Sequence, residues 1–162
     1  RLTQSDAGNV DVRFDLNRIA LRMVVERPLH GQGLNAFVET MERFDPQNVK
    51  SYFPAPVHNL YLLEAAEAGI PALLLLVAVL GVAIVNPLRR VGRLRDPVLR
   101  GLVAAAVAGL CGLAVSQLAD FSFKLEPLRT LIWAIIGLAF GALHAGEGIP
   151  LPAPGRGNRR EA

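Results

Sequence analysis

The sequence predicts an all-α fold of the polytopic membrane type, in which an extracytoplasmic helical loop region precedes three transmembrane helices. Three observations predict it. The chain is 52% hydrophobic and only 19% charged, which is little charge for a soluble domain. The charges are segregated, dense up to residue 67 and sparse afterwards except in two arginine clusters. Three long apolar runs flank those clusters, one before the first cluster and two between them. A bilayer core of about 30 Å needs about 20 helical residues to cross it.

Taken in order, residues 1–12 are polar, contain Gly8 and Asn9, and read as a loop. From Arg13 the pattern becomes helical: Leu16, Ile19, Ala20, Met23 and Val24 recur at i, i+3, i+4, i+7, i+8, so one face is apolar. Arg18, Arg22 and Glu26 lie on the other side, and Arg22 and Glu26 have i,i+4 spacing. Pro28 ends the helix, because a proline pushes the residue before it out of the helical region. The segment Pro28-Leu-His-Gly-Gln-Gly33 reads as a turn. Leu34, Phe37, Val38 and Met41 restore a helical stripe, which Asp45-Pro46-Gln47-Asn48 breaks. A further helix is expected from near His58 toward Asn86, with no strong stop. On it, His58 would share a face with Leu62, Ala65 and Gly69, while Glu67 would project to the other side as a structural or arginine-paired group.

The apolar runs place membrane helices at about residues 68–88, 101–119 and 130–146. The first run, from Pro71, has no polar stripe of the kind a soluble bundle helix carries. The second is rich in small residues, including Gly101, Gly109 and Gly112, which let membrane helices approach closely. In the third, Trp133 suits an interfacial anchor. The division expected is an extracytoplasmic region over 1–57, a membrane region over 58–146 and a disordered cytoplasmic tail over 147–162. The tail is rich in proline and glycine.

Orientation follows from the arginines. Arg89, Arg90, Arg93, Arg95 and Arg100 place the connection between the first two spans in the cytoplasm. The third span returns there, to the tail with Arg156, Arg159 and Arg160. By parity, residues 1–67 and the short 120–129 connection face outward. Each basic cluster adjoins an apolar run, so its role is topological, and no nucleic-acid partner is expected. Cys111, alone in an apolar run, reads as a small buried residue.

Two segments could carry chemistry. One is Arg13 followed by Pro28-Leu-His-Gly-Gln-Gly-Leu-Asn-Ala-Phe37. The other is Val57-His58-Asn59-Leu-Tyr-Leu-Leu-Glu-Ala-Ala-Glu67-Ala-Gly69, which runs into the first span. The pair Gly31 and Gly33 is not a dinucleotide fingerprint, because no strand precedes it and Ala36 stands where the third glycine belongs. A turn with positive φ is the reading. There is no Asp-x-Asp pair and no Walker motif, so no metal site and no nucleotide cofactor is expected. His30 and His144 read as incidental.

In the order and spacing of these segments the chain resembles the O-antigen ligase/polymerase family of bacterial envelope glycan transferases. The resemblance rests on Arg13, Pro28, Gly31, Gly33, Phe37, His58, Asn59, Leu62, Glu67 and Gly69, and on Asp120-Phe-Ser-Phe123 as an outward loop. It covers about residues 13–145, with one departure at Asn17, where many members carry an aromatic. The chain begins at Arg1 with no visible signal peptide, so it is expected to be the C-terminal part of a longer protein with more membrane helices. The resemblance implies location in the bacterial inner membrane with the active site facing the periplasm. It implies transfer of a glycan from an undecaprenyl diphosphate carrier to a lipid A-core or growing-glycan acceptor, without metal or nucleotide sugar. Arginine binds phosphate bidentately and stays charged, so Arg13 is the first candidate for gripping the diphosphate, with Arg18 and Arg22 behind it. Histidine is the natural general base at neutral pH, and His58 is the candidate. The rival reading is a non-enzymatic transporter or structural membrane subunit. Ionisable residues inside the membrane usually mark transport paths, and none lies well inside these runs.

Overall fold

A computed structural model describes residues 2–51 and 53–148, with side chains described from Val12 onward except that of Phe123. Among the described residues all regular structure is helical: α1 (Leu2–Glu26), α2 (Phe37–Thr40), α3 (Leu60–Ala68), α4 (Ile70–Arg90), α5 (Pro97–Ser116) and α6 (Glu126–Gly148), with short 3₁₀ turns between them. The tail expected to be disordered lies, from residue 149 on, outside the described residues.

Three helices are long and apolar enough to cross a membrane: Ile70–Arg93, Pro97–Ser116 and Glu126–Gly148. Only 17%, 22% and 22% of their most apolar windows are buried within the chain. Leu74, Leu75, Val82, Val98, Leu102, Val115, Leu131 and Leu138 project outward. A soluble bundle would bury this surface, whereas a lipid-exposed one leaves it apolar. The third span is longer than residues 130–146 because Pro127, the second residue of α6, is tolerated in a first turn where its missing N–H has no partner to lose. Cys111 is exposed rather than buried. The inward face of α5 is Val103, Ala106, Val107 and Leu110, and Cys111 is turned about 100° from Leu110.

The three spans form an up-down-up set. At one end, Arg90 pairs with Glu147, so the ends of α4 and α6 meet beside the α4–α5 connection. There Asp96 caps α5, accepting from the Val98 N–H at 2.7 Å, and Arg100 donates to the Leu94 carbonyl. At the other end, the Leu60 N–H donates to the Gln117 and Asp120 carbonyls at 3.0 and 3.1 Å. The Tyr61 hydroxyl donates to the Ala114 carbonyl at 2.7 Å. The N-terminal region therefore packs on the end opposite the arginines.

That region has its own core. Leu16, Ile19, Ala20 and Met23 of α1 meet Phe37, Met41, Val49, Val57, Leu63 and Ala66, which is the apolar stripe read from the sequence. Three details differ from expectation. The helix starts at Leu2, not at Arg13. Gly8 is the only strong helix-disfavouring residue in 2–12, and one glycine costs only about 1 kcal/mol. Leu34 is exposed, because α2 begins only at Phe37 and Asn35 adopts φ 57°. Arg22 and Glu26 do not pair. Arg22 donates to the Phe44 carbonyl at 3.1 Å, and Glu26 pairs with Arg43 at 3.0 Å.

The helix expected to run unbroken from His58 is divided at Gly69, which has φ 89°. The cause is local. Pro71 has no N–H, so the Glu67 carbonyl four residues earlier loses its helical donor. The Gly33 N–H fills that place at 2.9 Å. The Gln32 N–H donates to the Ala66 carbonyl at 2.9 Å, and the Ile70 N–H turns to the Pro28 carbonyl at 2.7 Å. The Pro28–Gly33 turn thus replaces the helical bonds missing at the α3–α4 junction, and Gly31 has the positive φ read from the sequence, 65°.

Candidate functional site

His58 is not on a helix. It stands immediately before Asn59, which is the N-cap of α3: extended backbone at φ −155°, with its side chain accepting from the Leu62 N–H at 3.1 Å. The helical face proposed for His58 from sequence therefore does not exist. Asn59→Ala is expected to lower thermal stability by about 1 kcal/mol, the usual worth of such a cap, read as a lower midpoint in a detergent-solubilised melt.

The imidazole lies between two rings. Phe121, from the α5–α6 connection, meets it edge-on with centroids 5.2 Å apart, and Phe53 lies at 5.9 Å, tilted by 39°. Its Nδ1 is buried without a hydrogen-bond partner among the described residues. Burial holds the His58 pKa below the usual 6.5, and the positive charge of Arg13 lowers it further. The Asp120 carboxylate acts in the opposite direction. At neutral pH the ring is uncharged and able to accept a proton.

Arg13 is exposed and near enough to His58 for its charge to act on the ring. Arg18 and Arg22 are directed elsewhere. Arg18 lies 3.9 Å from Asp15, Arg22 holds the Phe44 carbonyl, and both line a small hollow with Asp15 and Asp45. Five residues of helix rotate Arg18 by about 140° from Arg13, and nine rotate Arg22 by about 180°. The fold thus gathers His58 and Arg13 and separates them from the other two arginines.

Glu67 is buried, as a structural reading required, but its ionic partner is a lysine. One carboxylate oxygen accepts from the Phe37 N–H at 3.2 Å, and the other pairs with Lys124. Lys124 also lies 3.5 Å from Glu64. A cavity of about 220 Å³ opens beside this group, lined in part by Asn35, Phe37, Pro56 and Phe121. Lys124 and the ring contact between Phe121 and His58 escaped sequence reasoning. The available signal for Lys124 was a cation directly after Asp120-Phe-Ser-Phe123 in a short outward connection. His30 and His144 are both exposed. Among the described residues no three His, Cys, Asp or Glu side chains gather as a metal site would need.

A family model described as O-antigen ligase matches residues 1–77, the stretch that holds Arg13, the Pro28–Gly33 turn, His58 and Glu67. No curated protein and no solved structure matches the chain.

Proposed function

From the match of residues 1–77 to the family model described as O-antigen ligase, we propose that the chain transfers a glycan from an undecaprenyl diphosphate carrier to a hydroxyl of a lipid A-core or growing-glycan acceptor, at the outer face of the bacterial inner membrane. That match supports a membrane glycan transferase of the O-antigen ligase kind. The observation that carries the finer reading is the neutral His58 ring, with an unpartnered buried nitrogen, beside the charge of Arg13.

The chemistry needs two things. The acceptor oxygen attacks the anomeric carbon and must lose its proton. The bond from that carbon to the diphosphate breaks, and the diphosphate leaves with the electron pair. His58 takes the proton. Arg13 stabilises the negative charge that grows on the departing diphosphate oxygens. The three spans support a lipid-anchored donor, since His58 stands about three helical turns of chain from the start of the first span at Ile70.

The test is a transfer assay on the full-length protein. Glycan is expected to move from the undecaprenyl diphosphate donor and not from a nucleotide sugar. Equal use of a nucleotide sugar would remove the lipid-donor reading. A second expectation concerns pH. Because the His58 pKa is depressed, the acid limb of activity lies below pH 6.5. Arg13→Gln removes one of the lowering influences, so the limb moves upward, while kcat/KM falls by about 10²-fold. An unchanged limb would mean that the two groups are not coupled.

A further inference from the structure

The cavity beside Lys124 adjoins His58 through two of its walls. Pro56 lies two residues before His58, and Phe121 has its edge against the imidazole. Its volume, about 220 Å³, suits one monosaccharide ring and is too small for a diphosphate with its sugar. Its lining combines aromatic faces, Phe37 and Phe121, with polar groups at the rim and floor. Aromatic faces cover the C–H faces of a sugar, and a few convergent polar groups fix its hydroxyls.

The charge on the floor selects further. Lys124 is held by two carboxylates, Glu67 and Glu64, so the cluster carries a net charge of −1 when all three groups are ionised. A phosphate is disfavoured there. An uncharged hydroxyl-bearing ring is not, and Lys124 has a third N–H to donate to it. At the rim, Asn35 is held at φ 57°, a conformation that asparagine tolerates better than most residues.

We propose that this cavity is a subsite for a neutral sugar ring of the acceptor, held by Asn35 and Lys124 over Phe121 so that its hydroxyl meets His58. The proposal rests on the glycan-transfer reading and names the substrate part that this face takes.

Asn35→Gly tests it, because glycine keeps the positive φ without strain and removes only the side-chain amide. In the full-length protein, with an undecaprenyl diphosphate-linked oligosaccharide as donor, the acceptor KM is expected to rise by about tenfold, the worth of one lost hydrogen bond. The donor KM and kcat stay unchanged. Val38→Trp, which fills the cavity from α2, is expected to raise the acceptor KM further. Lys124→Arg, which keeps the charge, should retain most of the affinity. An acceptor KM unchanged in both Asn35→Gly and Val38→Trp overturns the subsite. The outcome is separate from that of the transfer reading, because His58→Ala in the same assay is expected to lower kcat whether or not the acceptor sugar sits in this cavity.

Discussion

His58→Ala in the full-length protein is expected to lower glycan transfer by about 10²–10⁴-fold, the usual contribution of a positioned general base, while the protein accumulates at a normal level. The ring is half-buried, and its Nδ1 makes no hydrogen bond among the described residues. Phe53 and Phe121 also pack against the core of the outer region, so removing the imidazole leaves a modest gap and not a collapsed core. His58→Gln keeps most of the volume but has no basic nitrogen near neutral pH, so it should fail equally. Transfer by either variant at the native rate would remove His58 from the chemistry. A loss restricted to the acceptor KM, with kcat intact, would make it a binding group. The acid limb below pH 6.5 is expected in the native protein and absent from whatever residual activity the variants retain, since their limb no longer belongs to an imidazole.

The second large effect is on folding. A Cβ built at Gly31 would lie 2.3 Å from the Glu67 carbonyl carbon and oxygen, and one at Gly69 would lie 2.5 Å from the Leu29 oxygen. Both clashes are with backbone, which cannot swing aside. Both glycines also have positive φ, 65° and 89°, which adds about 1–2 kcal/mol for any other residue. With about 1–3 kcal/mol for overpacking, Gly31→Ala and Gly69→Ala should each destabilise the outer region by about 3 kcal/mol or more. The readout is loss of protein from the membrane fraction or a lower melting midpoint in detergent. Gly33→Ala provides the contrast. Its Cβ meets only the Ala36 side chain at 3.4 Å, so it carries only the backbone strain of φ 123° and should be milder. Equal behaviour of all three would mean that the turn does not pack against the α3–α4 junction.

Much of the fold was legible because membrane helices announce themselves. The run from Pro71 through Val85 has no polar stripe, and the arginines that follow it orient the whole set. The apolar face of α1 was legible for the same reason, as Leu16, Ile19, Ala20 and Met23 repeat with helical spacing and reappear as buried core. The break at Gly69 was not read, although Gly69 and Pro71 were both visible. Whether such a pair breaks a helix depends on a donor from elsewhere taking over the freed carbonyls, and here that donor is the turn thirty-odd residues earlier.

The site was legible in part. Arg13 and His58 were singled out by type and placement, and the fold brings the charge of Arg13 within reach of the His58 ring. The environment of His58 was misread, because Asn59 was taken into a helix that it in fact caps. An asparagine just before an apolar helical run is an N-cap signal, so this error was avoidable. The Phe121 edge and the Lys124–Glu67 pair were not. They join positions more than fifty residues apart in sequence, and only the length of the α4–α5 hairpin brings them together. The separation of Arg18 and Arg22 from Arg13 needed nothing but helical rotation and could have been foreseen.

The account depends on which side of the membrane these groups face, and cysteine labelling measures that directly. Leu34 is 76% exposed on the His58 side, and Gly92, in the connection between α4 and α5, has open space where a side chain would go. In a Cys111→Ser background of the full-length protein, Leu34→Cys and Gly92→Cys are each treated with a membrane-impermeant maleimide in intact spheroplasts. Labelling of the first and protection of the second until the membrane is opened is the predicted result. Labelling of Gly92→Cys from outside, with Leu34→Cys protected, would put His58 in the cytosol and contradict the proposed chemistry.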